Sequence, residues 1–119
     1  MQDIHRIYHN SYGISFQWKR NRLEDLMKVQ IIFKDTGLLL SKEELTLFSN
    51  NIRHTKETYS LCNDCVHNDS CKGLLIEAPL PHITFAVNTK ELKGIQDLVE
   101  GTLFHMNLNN FLGEICNNN

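Results

Sequence analysis

Residues 38–52 read Leu38-Leu39-Leu40-Ser41-Lys42-Glu43-Glu44-Leu45-Thr46-Leu47-Phe48-Ser49-Asn50-Asn51-Ile52, and a change of period inside this stretch decides the fold class. Leu38 to Leu40 form a short apolar run that reads as a strand. Ser41 and Glu44 have the spacing of a capping box. The serine oxygen can accept from the backbone N–H of Glu44, and the carboxylate can reach back to the amide of Ser41. From there Leu45, Phe48 and Ile52 recur at intervals of three and four, on one face of a helix. Asn50, Asn51 and Arg53 supply its solvated side, and the helix is expected to end near Thr58.

Working towards the N-terminus, Val29, Ile31 and Phe33 alternate with Gln30, Ile32 and Lys34, which predicts a strand. Asp35-Thr36-Gly37 supplies its turn, because glycine tolerates the positive φ of tight hairpins. Ile14, Phe16 and Trp18 alternate with Ser15, Gln17 and Lys19, a second half-buried strand. Residues 4–12 suit a strand or a helical turn equally, and residues 21–27 read as a polar connection.

Towards the C-terminus, residues 74–77 read as a strand and Ala78-Pro79-Leu80-Pro81 breaks it, since proline cannot donate to a ladder. Ile83, Phe85 and Val87 give a fifth strand. Asn88, three residues before Glu91, opens a second helix, and Leu92, Ile95, Leu98, Val99, Leu103 and Met106 build its buried stripe. Gly94 and Gly101 lie within it, each costing ~1 kcal/mol relative to alanine. A close approach to the sheet or another helix would offset that cost. Residues 107–119 are rich in asparagine and read as a short docked element followed by a frayed tail.

A shift of 47 residues lays Leu38, Leu40, Ser41, Glu44, Leu45, Phe48 and Ile52 onto Phe85, Val87, Asn88, Glu91, Leu92, Ile95 and Val99. The match suggests two ββα units sharing one sheet, although only the glutamate and the leucine are identical and capped junctions resemble one another anyway. The expectation is a single α+β domain over residues 1–119. It has an antiparallel sheet of about five strands with two main helices packed on one face.

A length of 119 residues suits one domain, and 41% apolar with 22% charged residues is ordinary globular usage. The net charge of -2 argues against nucleic acid or anionic lipid as a partner. Lys19-Arg20-Asn21-Arg22 reads as a solvated turn. No apolar segment of a signal peptide follows Met1, and no run approaches the ~20 apolar residues of a membrane span. The expected location is the cytoplasm, with no membrane partner. In that reducing compartment, cysteines point to metal or redox chemistry more than to disulfides.

Three of the four cysteines fall in residues 61–73, Leu61-Cys62-Asn63-Asp64-Cys65-Val66-His67-Asn68-Asp69-Ser70-Cys71-Lys72-Gly73. Cys62 and Cys65 can chelate one ion from a short turn, and Cys71 can fold back as a third ligand. Zinc needs a fourth. Cys116 is preferred, because it would pin the tail to the loop, and His67 is the local alternative. The spacing also fits an iron–sulfur cluster. Reduced structural cysteines without metal, or a thiol–disulfide pair of Cys62 and Cys65, are the competing readings. A thioredoxin-like enzyme would place the CxxC at the start of a helix, whereas here it follows one.

His5, His9, His54, His82 and His105 show no ligand spacing among themselves. No phosphate loop, nucleophile elbow or H-E-x-x-H motif is present. Glu24-Asp25 and Glu43-Glu44 are sequence neighbours that point apart on a helix. Nothing therefore points to an enzyme; a small one using Cys65 or His67 is the least favoured reading.

The segment from Cys62 to Gly73 resembles the C-x2-C-x5-C-x-G segment in auxiliary cluster domains of radical-SAM peptide-maturation enzymes. The core radical-SAM cysteine motif is absent, so the resemblance implies no such activity. Tyr12-Gly13-Ile14, the strand over residues 29–33 and the junction over residues 38–48 resemble a group of small bacterial proteins of unassigned function. Those proteins carry an early CxxC where this chain has Trp18 to Arg22, and the resemblance bears on fold alone. The combined expectation is a non-enzymatic interaction module, its partner an unidentified protein or a second copy, with a structural metal on cysteine.

Overall fold

The structure, a computed structural model, describes residues 4–19, 28–59 and 73–117, with side chains of the last helix described as far as Leu108. In chain order it contains β1 (Ile4–Asn10), β2 (Gly13–Trp18), β3 (Lys28–Phe33), β4 (Thr36–Ser41), α1 (Lys42–Tyr59), β5 (Leu74–Glu77), β6 (Thr84–Val87) and α2 (Thr89–Asn117). The first four strands form an antiparallel meander in the order β1-β2-β3-β4, and β5 pairs with β6 in a separate two-stranded sheet.

Both strand-to-helix junctions are capped as their sequences predict. The Glu44 N–H donates to Ser41 Oγ at 3.1 Å, and the Ser41 N–H donates to Glu44 Oε1 at 2.9 Å. Asn88 and Glu91 repeat the exchange at 2.7 and 3.0 Å. Each box satisfies N–H groups that the first helical turn leaves without intrahelical acceptors.

The α+β class and antiparallel pairing agree with the sequence reading, but one five-stranded sheet does not form. Residues 4–10 add a sixth strand, whose pairing with β2 shifts register between Arg6 and Tyr8. That irregularity interrupts the period of two and leaves no clean alternation to read. The second hairpin stands apart because the edge of β5 turned away from β6 meets α1. There Thr55 Oγ1 donates to the Leu75 carbonyl at 2.9 Å, and Asn51 Nδ2 to the Glu77 carbonyl at 3.0 Å. Helix side chains thus occupy acceptors that a further strand would need.

The β3–β4 turn is also displaced from its expected place. Phe33 pairs with Thr36 and Ile32 with Gly37, so Lys34 and Asp35 make the turn and Gly37 is a strand residue. Lys34 takes the left-handed conformation (φ 54°). Register wins here: Val29 opposite Leu40 and Ile31 opposite Leu38 put four buried side chains on one face, whereas a turn over residues 35–37 would set Lys34 opposite Leu38 and Ile32 opposite Leu40. The Lys34 ammonium pairs with the Glu91 carboxylate at the start of α2.

The core lies between the meander and both helices. Ile31, Phe33, Leu38 and Leu40 meet Leu45, Phe48 and Ile52 of α1, and Leu92, Ile95, Leu98 and Val99 of α2. At its centre the rings of Phe33, Phe48 and Phe85 come together, with centroids 5.2–6.2 Å apart, joining β3, α1 and β6. The helices run antiparallel, since Arg53 pairs with Glu100 at 3.1 Å while Lys56 reaches Gln96 at 3.5 Å. Helix α2 continues to Asn117 without the expected break after Met106. Apolar positions Phe104, Leu108, Phe111 and Ile115 carry the helical period onward through the asparagines.

Candidate functional site

The densest polar arrangement among the described residues lies where β1 crosses α2, and the two helical glycines create it. A Cβ at Gly101 would stand 2.5–2.7 Å from three ring atoms of Tyr8, and one at Gly94 would overlap the Tyr12 ring more closely still. The absent side chains therefore let two aromatic rings lie directly on the helix backbone. This is the close approach that offsets their poor helix propensity.

Once seated, the ring of Tyr8 is held by its hydroxyl, which donates to Asp97 at 2.9 and 3.1 Å from the two carboxylate oxygens. His105 flanks the ring at 5.6 Å. Asn10 ties the turn to the helix: its Oδ1 accepts from the N–H groups of Tyr12 and Gly13 (2.8 and 3.1 Å), while Nδ2 donates to the Gly94 carbonyl and to Asp97 (2.8 and 2.9 Å). One turn further along α2, the buried hydroxyls of Thr102 and Ser15 share one proton across 2.6 Å, and the other goes to the Leu98 carbonyl, 2.6 Å from Thr102 Oγ1, or to the Tyr8 carbonyl, 3.3 Å from Ser15 Oγ.

The chemistry of this seam is that of a latch. The hydrogen bond to Asp97 raises the Tyr8 pKa above its ordinary 10.0, with burial and the Asp97 charge adding to it. Tyr8 therefore stays protonated at neutral pH and makes a poor base. Asp97, for its part, is engaged by Tyr8 and Asn10. A surface hollow of about 470 Å³ beside the β5–β6 loop, bordered by Leu47, Asn51, Pro79, His82 and Ile83, brings one imidazole near apolar side chains. It assembles no nucleophile–base pair.

Cys62, Cys65, Cys71 and His67 lie outside the described residues, as does most of the Lys19-Arg20-Asn21-Arg22 run. Cys116 is on α2, in a part where only the backbone is described. Its position can nevertheless be bounded. Leu74 pairs with Val87, two residues before the start of α2, so the crossover over residues 60–72 joins β5 beside the helix N-terminus. Cys116 is 27 residues beyond Thr89, or about 40 Å along a straight helix. The three residues from Leu74 back to Cys71 span ~10 Å at most.

Among the described residues, no three His, Cys, Asp or Glu side chains cluster to hold a metal ion, and no helix is long and apolar enough to cross a membrane. The tyrosine–glycine seam was foreshadowed in the sequence only by its two helical glycines; Tyr8, Tyr12, Asn10 and Asp97 carry no local signal. Comparison with protein-family models, curated proteins and solved structures finds no match for the chain.

Proposed function

We propose that this chain is a non-enzymatic interaction module whose α1–β5 crossover binds a metal ion through Cys62, Cys65 and Cys71, zinc before an iron–sulfur cluster. The observation that supports this reading most is how the crossover is anchored. Its two flanks are joined by the hydrogen bond from Thr55 to the Leu75 carbonyl, and β5 is fixed in turn by the Leu74–Val87 pairing. Residues 60–72 thus leave and rejoin the fold at one place, so gathering three thiolates inside them adds little closure entropy.

The distance along α2 bears on the fourth ligand. With Cys116 some 40 Å from the helix start, His67 within the loop becomes the better partner inside one chain. The ion's role is structural: it holds the crossover in one conformation as a surface for a protein partner.

Elemental analysis of protein purified without added metal tests the reading, with about one equivalent of zinc per chain expected. Cys62→Ser and Cys65→Ser abolish binding, His67→Ala weakens it, and Cys116→Ser leaves it in place. Finding neither zinc nor iron would overturn the metal site. A Cys62–Cys65 disulfide forming reversibly under mild oxidation would then favour the redox reading.

A further inference from the structure

We infer that the C-terminal part of α2 is a self-association surface, on which two copies of the chain pair their last helices antiparallel along Phe104, Leu108, Phe111 and Ile115. The inference goes beyond the metal site and does not depend on it. It begins with a switch of chemistry along one face of one helix. At ~100° per residue, Lys90, Lys93, Asp97, Phe104, Leu108, Phe111 and Ile115 fall within about 60° of one another.

In the first half that face is charged and exposed, as a solvated helix face should be. In the second half it is apolar, and still exposed where side chains are described: Phe104 by 62% and Leu108 by 39%. The four apolar positions are spaced four, three and four residues apart, the interval of a helix–helix seam. Glu114 is the only charged residue among positions 101–119. Among the described residues, the last side chain of α2 packed on the core is Met106. The helix nevertheless runs on to Asn117 through Asn107, Asn109, Asn110 and Gly113. These are weak helix formers, and so short a stretch is marginal in water without a packed face.

A second copy is the occupant that the pattern itself specifies. A twofold axis between positions 109 and 110 sets 104 against 115 and 108 against 111, so each stripe meets its own complement. Antiparallel helices also align their dipoles favourably. Phe104 leaves on the order of 100–150 Å² exposed. Leu108, at 39% exposed, leaves roughly half as much, so these two positions in two copies bury about 300–450 Å², well under a stable interface. The pairing is therefore weak and depends on concentration.

Sedimentation equilibrium of the full chain tests this, in a Cys116→Ser background that removes any sulfur bridge. The mass should rise from monomer towards dimer as concentration is raised to the order of 1 mM, a range in which weak association is populated. Leu108→Glu and Phe111→Lys should each give monomers, and Phe104→Lys likewise. Mixing Leu108→Glu with Phe111→Lys should restore a heterodimer, because the introduced carboxylate of one copy then faces the introduced ammonium of the other. This recovery also separates loss of pairing from loss of folding. A wild type that stays monomeric, a dimer indifferent to Phe104→Lys, or a mixture that fails to associate would each overturn the proposal.

Discussion

Replacing Gly101 with alanine opposes two effects of known size. By intrinsic propensity the change stabilises a helix interior by about 1 kcal/mol. Here, however, the new methyl carbon would lie 2.5, 2.6 and 2.7 Å from Cε2, Cζ and Cδ2 of Tyr8. That is roughly 1 Å inside ordinary carbon–carbon contact. The ring cannot simply swing away, because its hydroxyl is held by Asp97 and its plane is flanked by His105. Relief requires β1 to lift from α2 or the hydrogen bond to break. Overpacking of this kind costs about 1–3 kcal/mol, and a partly exposed hydrogen bond to a carboxylate adds roughly 0.5–1 kcal/mol. The net expectation is a loss of about 0.5–3 kcal/mol, opposite in sign to propensity. Urea unfolding followed by circular dichroism reads the difference as a shift in midpoint. In a Tyr8→Ala background the same substitution should instead stabilise by up to about 1 kcal/mol, since only propensity remains. In a Tyr8→Phe background it should stay destabilising, because the ring persists. A stabilising Gly101→Ala in the wild-type chain would refute the idea that the glycine exists to seat a ring.

Two further outcomes follow from the hydrogen bonds of Tyr8 and of the two helix caps. The raised Tyr8 pKa means that the fold favours the protonated phenol, so the stability it contributes is fully present below the ordinary 10.0 and is lost as pH rises through the higher folded value. An alkaline titration by tyrosinate absorbance should show one tyrosine ionising late, and Asp97→Asn should bring it back towards the ordinary value. Ser41→Ala and Asn88→Ala should each cost about 1 kcal/mol through the lost cap. In thermal or urea unfolding the double variant should show the sum, because the two boxes share no partner.

The features that could be read from the sequence are those whose physics is local. A capping box and the stripe behind it occupy a dozen consecutive residues, and both junctions formed where Ser41, Glu44, Asn88 and Glu91 indicated. Gly94 and Gly101 were legible as anomalies, costs without a visible return. Their partners Tyr8 and Tyr12 lie more than 80 residues away, and no pattern along the chain links them. The turn at Lys34-Asp35 was misplaced because glycine is only a propensity, whereas four buried side chains fix register. The cysteine spacing suggests a local chelate, and Cys62, Cys65 and Cys71 lie outside the described residues. The direction of α2 carries Cys116 away from the helix start, beside which β5 begins.

Alternation tells which side chains of a strand share a face, but not which face meets the helices, and β2 turns on that difference. Ile14 pairs with Ile32 and Ser15 with Ile31. Since Ile31 belongs to the helix-side core, Ser15 faces α2, while Ile14, Phe16 and Trp18 face the other way. The neighbouring strand β3 has the opposite arrangement, with Val29, Ile31 and Phe33 towards the helices. The inversion has a steric reason. On the helix side β2 offers Gly13 and Ser15, and a Cβ on Gly13 would overlap the Ile32 carbonyl oxygen of β3 and come within 2.9 Å of Leu98. Small residues there let α2 settle low on the meander, which brings its backbone within reach of Tyr8 and Tyr12. The large residues of β2 are then left for the far side, where Phe16 is only 5% exposed and packs edge-on against Trp18 at 5.1 Å. Trp18 in turn donates its indole N–H to Gln30 at 3.2 Å. The burial of apolar side chains on the far face of β2 follows from how closely α2 must approach its near face.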